Sequence, residues 1–169
     1  MIGYFTPKEQ GTGDELIEAV ARHFDAQELR LAGAVQINSA TKNSKRSKMI
    51  LSILGTGEEV GISQNLGPHA TGCALDAEGL ENAAHIVLKS LDDVRDLLIL
   101  NKFGKQERDG QGFRDVLVKA LDQDVPVLLG VNATLETAFQ DFAGDFAVKI
   151  APNLADITRW YREFRTEQA

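Results

Sequence analysis

Two runs of consecutive apolar residues, at positions 97–100 and 127–129, constrain the fold of this chain more than any other feature. The first reads Leu-Leu-Ile-Leu and the second Val-Leu-Leu. A strand that is apolar at every position has both faces buried, which is typical of a parallel sheet covered by helices on each side. Helical spacing of apolar residues fills the intervals, as in Leu16, Val20 and Phe24. This alternation predicts a three-layer, doubly wound α/β fold with a mainly parallel sheet.

The predicted elements run along the whole chain, which we expect to form a single domain over residues 1–169. Residues 48–54 and 59–63, joined by Gly55-Thr56-Gly57, are expected to form an antiparallel hairpin inserted at one edge of the sheet. The other predicted strands are 1–6, 31–38, 96–101, 125–131 and 147–150. The predicted helices begin at Gly13 and at Asp76, which is a suitable N-cap, and cover 112–121, 135–142 and 153–164.

Composition and charge argue against several classes of protein. A net charge of −7 disfavours a general nucleic-acid-binding protein, which needs a basic face for the phosphates. The single cysteine, Cys73, excludes an intrachain disulfide and an all-cysteine metal centre. The N-terminus lacks the basic region of a signal peptide, and no stretch resembles a membrane span. We therefore expect a cytoplasmic protein with no nucleic-acid, membrane or metal partner, while the oligomeric state is not predicted.

The loop after the first strand lies where a phosphate-binding loop would lie, because ligands collect at the carboxyl ends of parallel strands. A working P-loop reads G-x-x-x-x-G-K-S/T, in which the lysine neutralises phosphates and the hydroxyl holds magnesium. Here Gly13 is followed by Asp14 and Glu15, whose carboxylates would repel a triphosphate. Two interpretations stay open: a plain strand-to-helix turn, or anion binding by the backbone amides of residues 11–13.

The segment Asn101-Lys102-Phe103-Gly104-Lys105-Gln106-Glu107 begins at the end of a buried strand. In a nucleoside-triphosphatase this strand ends in an acid that holds magnesium. Asn101 and Lys102 occupy those places, and a neutral amide beside an ammonium is a poor site for a hard dication. We therefore predict that Lys102 and Lys105 neutralise an anion directly, at a site without a metal ion. The alternative is a pair of surface lysines around a glycine turn.

Two further polar loops complete the predicted site. Residues 39–48 concentrate basic side chains and are expected to hold an oxyanion, to dock a protein partner, or simply to be solvated. Residues 62–76 form a long connection, which favours a function, although His69 and Cys73 alone are too few to hold a metal. The predicted binding set for a small anion or nucleotide is Gly11, Thr12, Gly13, Lys42, Lys45, Arg46, Ser63, Gln64, Asn65, Gly67, Thr71, Gly72, Cys73, Asn101, Lys102, Lys105 and Glu107.

Several of these motifs, in one order, resemble the bacterial domain-of-unknown-function (DUF) family 2478 over nearly the whole chain. The motifs are Gly33-Ala34-Val35-Gln36-Ile37-Asn38, the glycine-rich segment 62–76, residues 97–107, Gly112-Phe113-Arg114 and Val127-Leu128-Leu129-Gly130-Val131. That family is similar to thermophile-type P-loop nucleoside-triphosphatases, whose Asp-Glu-Ile-Gly-Lys-Met-Glu stretch corresponds to residues 101–107 with both leading acids replaced. Its members often lie beside molybdate-transport genes, so the resemblance implies a link to molybdenum handling.

The departures at the loop lysine and at the strand acid predict that ordinary P-loop hydrolysis does not occur. We interpret the chain as a non-hydrolysing ligand-binding or regulatory protein, with molybdate or a nucleotide as ligand and a protein of molybdate metabolism as partner. Two alternatives stay open. One is a nucleotide-dependent hydrolase or transferase in which Lys102 or Lys105 takes over the phosphate charge. The other is a protein-interaction module that docks through residues 42–48.

Overall fold

A computed structural model describes residues 1–39, 48–64 and 74–169, with the side chains of residues 38 and 39 excepted. Seven strands form one sheet. They are β1 (Ile2–Phe5), β2 (Leu31–Ser39), β3 (Lys48–Ile53), β4 (Glu59–Gly61), β5 (Leu97–Phe103), β6 (Val127–Val131) and β7 (Ala147–Lys149). The helices are α1 (Thr12–Asp25), α2 (Ala77–Ser90), α3 (Lys105–Arg108), α4 (Arg114–Asp122), α5 (Glu136–Ala143) and α6 (Leu154–Gln168), with short 3₁₀ turns at Ala133–Leu135 and Gly144–Phe146.

The sheet has the strand order β4-β3-β2-β5-β6-β1-β7. The five strands β2, β5, β6, β1 and β7 are joined by parallel pairings. β3 and β4 extend the β2 edge in antiparallel fashion. Both the doubly wound parallel sheet and the inserted edge hairpin are therefore confirmed.

Helices cover both faces of this sheet, which explains the uninterrupted apolar runs. Leu98 and Leu100 of β5 belong to the core that contains Val87 of α2 and Leu117 of α4. Leu97 and Ile99 lie in the opposite core, which contains residues of α1 and α6 such as Val20 and Ile157. Successive side chains of one strand thus enter different cores, as the period of a strand requires.

The close approach of β2 to β5 depends on Gly33. Its φ of 126° lies in a region that L side chains rarely adopt, and a β-carbon there would collide with the backbone of Ile99. The pairing of Gly33 with Ile99 and of Ala34 with Leu100 sets the register of these two strands. Gln36 and Asn101, further along the same strands, are consequently brought together.

The main differences from the predicted elements follow β5. The strand continues to Phe103, two residues beyond its predicted end at Asn101, so that Lys102 lies inside it and not in a loop. Residues 105–108 form a short helix, α3, that was not predicted because a single turn has no apolar periodicity to detect. Asp76 is confirmed as an N-cap, since its side chain accepts a hydrogen bond from the Glu78 amide at 3.1 Å. In the described ranges, no helix combines the length and apolar character that crossing a membrane requires.

Candidate functional site

The connection from β1 to α1 lies at the carboxyl edge of the sheet, as predicted for a phosphate-binding loop. Gly11 is the N-cap of α1 and has a φ of 87°, a left-handed conformation that favours glycine. Its carbonyl accepts hydrogen bonds from the amides of Asp14 and Glu15 at 3.2 and 3.3 Å. The Thr12 hydroxyl donates to the Glu9 carbonyl at 2.8 Å, so this hydroxyl closes the turn. Gly13 permits a tight approach to Pro7, whose Cγ would lie 2.7 Å from an added β-carbon.

Asn101 is placed by an irregularity between β5 and β6. Leu100 pairs with Leu129, but it is Lys102 that pairs with Gly130, so Asn101 is an extra residue in the strand. An irregularity of this kind changes the direction of a side chain and is frequent near functional sites. Gly130 leaves room for it, because an added β-carbon there would lie 3.1 Å from the Asn101 carbonyl oxygen. Asn101 is 9% exposed, so its amide needs partners within the protein.

The Asn101 side chain joins two distant parts of the chain. Its Oδ1 accepts a hydrogen bond from the Gln36 backbone amide at 3.1 Å. Its Nδ2 donates to Asp14 Oδ1 at 2.5 Å. A backbone N–H can only donate, so the contact with Gln36 determines the orientation of the Asn101 amide and leaves the NH₂ group facing Asp14. Asp14 and Asn101, which the sequence predicts to stand at the positions of the P-loop lysine and of the magnesium-binding acid, are therefore in direct contact.

Lys102 and Lys105 are both exposed at the end of β5 and the start of α3. The side chain of Lys102 has no hydrogen-bond or ion-pair partner in the described part of the chain, and Lys105 begins the short helix next to it. Both ammonium groups are accessible to an anion from solvent. Anion binding by these lysines stays a prediction.

Glu107 differs from its predicted role. The residue is 4% exposed. One carboxylate oxygen accepts the Gly104 amide at 2.8 Å and the other accepts the Phe113 amide at 3.0 Å. Both oxygens thus satisfy backbone donors that connect α3 to the start of α4, and we assign this carboxylate a structural role in place of ligand binding. Its sequence spacing matched the ligand pattern, but spacing alone does not show that the side chain turns inward.

Ser63 and Gln64 close the base of the long loop before α2. The Ser63 hydroxyl oxygen accepts the Met49 amide at 2.6 Å, which ties it to β3. The Gln64 amide donates to the Ala74 carbonyl at 2.6 Å, while the Gln64 side chain is exposed. The other predicted loop residues lie outside the described residues; they are Lys42, Lys45, Arg46, Asn65, Gly67, Thr71, Gly72 and Cys73.

A cavity of about 380 Å³ between the start of α2 and the turn from α3 to α4 was missed by sequence reasoning. Glu78, Glu81 and Asp115 contribute to its lining, and Glu81 accepts the Gly112 amide at 2.5 Å. Glu78 and Asp115 lie in the first turns of α2 and α4, where acidic residues are common because they complement the helix dipole, so their positions carried no signal. Within residues 1–39, 48–64 and 74–169, no group of three or more His, Cys, Asp or Glu side chains could hold a metal ion.

Comparisons with known proteins place this geometry in context. The model of a family described as "Protein of unknown function (DUF2478)" matches residues 2–160. A curated relative, the molybdenum import ATP-binding protein ModC 2 of Bradyrhizobium diazoefficiens, is 35% identical over 134 residues, or 79% of this chain. The matched segment is 15% of that relative's length.

The fold is that of a solved structure, THEP1 from the hyperthermophile Aquifex aeolicus. The two chains superpose with a TM-score of 0.62 and share 16% sequence identity. The match covers 96% of this chain and 95% of THEP1. This similarity shows that the chain has the P-loop NTPase fold.

Proposed function

Because the chain belongs to the DUF2478 family of proteins of unknown function, we propose that it is a ligand-binding or regulatory protein that keeps the P-loop NTPase fold without hydrolysing nucleotides. The observation that carries this proposal is the hydrogen bond between Asp14 and Asn101. It joins the two positions on which P-loop chemistry depends, and neither position carries the charge that this chemistry needs.

Phosphoryl transfer is catalysed almost entirely by positioning and by charge. A lysine after the second loop glycine would neutralise the phosphates, but Asp14 has the opposite charge. A unit charge about 4 Å from another interacts by about 1 kcal/mol even in bulk water, and more strongly near a protein surface. Replacing attraction by repulsion therefore works against binding a triphosphate in the usual position, and Asn101 cannot compensate because an amide has no charge.

A small anion is the ligand class that the remaining groups suit best. The first turn of α1 presents backbone amides around Gly11 and Gly13, and helix starts of this kind attract anions. Lys102 and Lys105 add cationic groups at the end of β5. An oxyanion such as molybdate, or a nucleotide held in a displaced position, is the proposed ligand.

Molybdenum metabolism is the proposed setting, supported by the similarity to ModC 2, a molybdenum import ATP-binding protein. Since this chain matches only 15% of that relative, the ATP-binding and import activities of the whole relative are not transferred. We propose that this protein acts in the cytoplasm on the same oxyanion, or on a protein that handles it.

A thermal-shift panel tests the proposal. Molybdate, tungstate, sulfate, phosphate, ATP and GTP would each be added with and without magnesium, together with an assay for released phosphate. A ligand at 100 times its Kd stabilises the folded protein by about 2.7 kcal/mol, which corresponds to a Tm rise of about 5–10 °C for a domain of this size. A shift without magnesium and without phosphate release is expected. Magnesium-dependent phosphate release would instead favour the nucleotide-dependent hydrolase or transferase.

Two lysine variants locate the ligand. Lys102→Ala is expected to weaken anion binding about tenfold, which is the loss of roughly 1.4 kcal/mol. Lys89→Ala is the matched control, because Lys89 is also exposed but lies in the last turn of α2, away from the carboxyl ends of the parallel strands. Equal affinities of the two variants would remove Lys102 from the site.

A further inference from the structure

The hydrogen bond between Asp14 and Asn101 has a second consequence, for metal dependence. We infer that it takes the place of the divalent cation that the P-loop NTPase fold implies, so that this site selects a ligand that carries no magnesium. The inference deepens the proposed function and concerns the same site. It assigns Asp14 and Asn101 as specificity-determining residues.

The donor set around Asn101 does not fit magnesium. Magnesium requires oxygen ligands at about 2.0–2.1 Å in near-octahedral geometry. The Asn101 oxygen already accepts the Gln36 amide, and the Asn101 group that faces Asp14 is an NH₂ donor. A dication between the two side chains would meet hydrogen atoms on one side, where it needs a lone pair.

Rotation of the Asn101 amide does not remove this conflict. Turning the oxygen towards Asp14 would place the NH₂ group against the Gln36 backbone N–H, so that two donors would face each other. Asn101 is 9% exposed, and a buried donor without an acceptor is costly. The orientation is thus set by the backbone of β2 and is independent of any ligand.

The surrounding backbone holds both partners in position. Gly33 permits the close approach of β2 to β5 that brings the Gln36 amide to Asn101. The irregularity between β5 and β6 directs Asn101 to this side. Asp14 lies in the first turn of α1, where its own amide bonds to Gly11. Three separate elements therefore converge on a contact that leaves no cation position between these two side chains.

The ligand class follows from this arrangement. A magnesium–nucleotide complex presents its metal to a hydroxyl and a carboxylate in an ordinary P-loop enzyme. Here the corresponding residues are Glu15, which is exposed, and the amide of Asn101. An oxyanion, or a nucleotide without bound magnesium, meets the backbone amides and lysines and requires no ligand for a metal.

The Asn101→Asp variant tests this inference with magnesium as the probe. The substitution places two carboxylates where the amide and the carboxylate now meet, which is the oxygen-rich arrangement that divalent cations prefer. We expect the Tm of this variant to rise with MgCl₂, by about 3–6 °C at ten times the Kd, relative to NaCl of equal ionic strength. The wild-type Tm should not differ between the two salts.

The double variant Asp14→Asn with Asn101→Asp is the matched control. It has the same net charge as the wild type and the same pair of groups in exchanged positions, so it should fold and show no magnesium response. A folded Asn101→Asp variant without a magnesium response would overturn the inference. A rise in the wild-type Tm with magnesium that Asp14→Asn abolishes would also overturn it. This comparison of wild type with Asp14→Asn decides the question if Asn101→Asp does not fold. None of these measurements contains the ligand, so their outcome is independent of the ligand panel.

Discussion

The two ends of β5 use carboxylates in opposite ways. Asp96, immediately before the strand, accepts hydrogen bonds from the backbone amide, Nε and Nη2 of Arg30 at 2.9, 2.9 and 2.8 Å. Near the other end, Asp14 accepts from the neutral amide of Asn101. The first carboxylate is paired with an opposite charge, whereas the second contacts a group that has none.

This difference separates a strong charge pair from a weaker contact, which we propose to be part of the ligand site. The Arg30 guanidinium lowers the pKa of Asp96 from its ordinary value of 3.8 to about 2, so folding favours the ionised form. A bidentate pair of this kind is among the stronger polar contacts in proteins. The Asp14 carboxylate interacts favourably with the dipole of α1 but has no cation partner among the described residues, so its contact with Asn101 stabilises the protein less than the Arg30–Asp96 pair does. The carboxyl end of β5 is accordingly where we place the ligand.

Glu107→Ala should have the largest effect on stability and would show that not every acid at the carboxyl end is functional. The substitution removes the acceptor of the Gly104 and Phe113 amides. A buried donor left without an acceptor costs about 1–3 kcal/mol, and the Gly104 donor is only part-buried, so we expect the free energy of unfolding to fall by about 2–4 kcal/mol in urea titrations. Arg108→Ala, one residue away and exposed, should change it by less than about 0.5 kcal/mol. Near-equal stability of the two variants would return Glu107 to the ligand-binding candidates.

The pH dependence of stability should show the contribution of Asp96, which precedes β5. A carboxyl group whose pKa is lower in the folded state stabilises the protein fully at pH values above its unfolded-state pKa. That contribution is lost as the pH falls through its folded-state pKa. The Asp96 contribution should therefore be constant above about pH 5 and decline between about pH 4 and 2. We expect the stability difference between wild type and Asp96→Asn, measured by urea denaturation, to shrink over that interval.

Asp93→Asn is the control for this profile. Asp93 also pairs with an arginine, Arg95 at 3.4 Å, but its side chain is 83% exposed. Solvent-exposed pairs contribute little to stability, so the acid profile of this variant should follow that of the wild type. If the difference between wild type and Asp96→Asn stayed constant down to pH 2, the assignment of Asp96 as a charge-stabilised residue would be wrong.

Asp14→Asn should have the smallest effect on stability and a clear effect on binding. An acid in the first turn of a helix contributes about 0.3–1 kcal/mol, and asparagine can still accept from Asn101. Removing the negative charge should tighten binding of molybdate or phosphate about fivefold at low salt, measured by titration calorimetry. Glu18→Gln, one turn further along α1, should leave the affinity unchanged. Equal affinities of wild type and Asp14→Asn would place the ligand elsewhere.

Most of the fold could be predicted from local patterns. The apolar runs of β5 and β6 required a sheet buried on both faces, and Asp76 marked the start of α2. The turn glycines between β3 and β4 indicated the edge hairpin. The end of β5 and the short helix α3 could not be predicted, because polar residues continue the strand and one helical turn has no repeating pattern.

The candidate site also has features that local patterns predict and features that they do not. Residue patterns alone predict the α/β frame, a site at the carboxyl edge of the sheet, and the lack of a lysine and an acid at the two P-loop positions. The folded arrangement is needed to see that Glu107 turns inward to backbone amides and that Asn101 contacts Asp14, 87 residues away. These contacts are not local because a side-chain hydrogen bond of this kind depends on the relative placement of β1, β2, β5 and β6. That placement follows from packing and register across the sheet, and local residue patterns do not encode it.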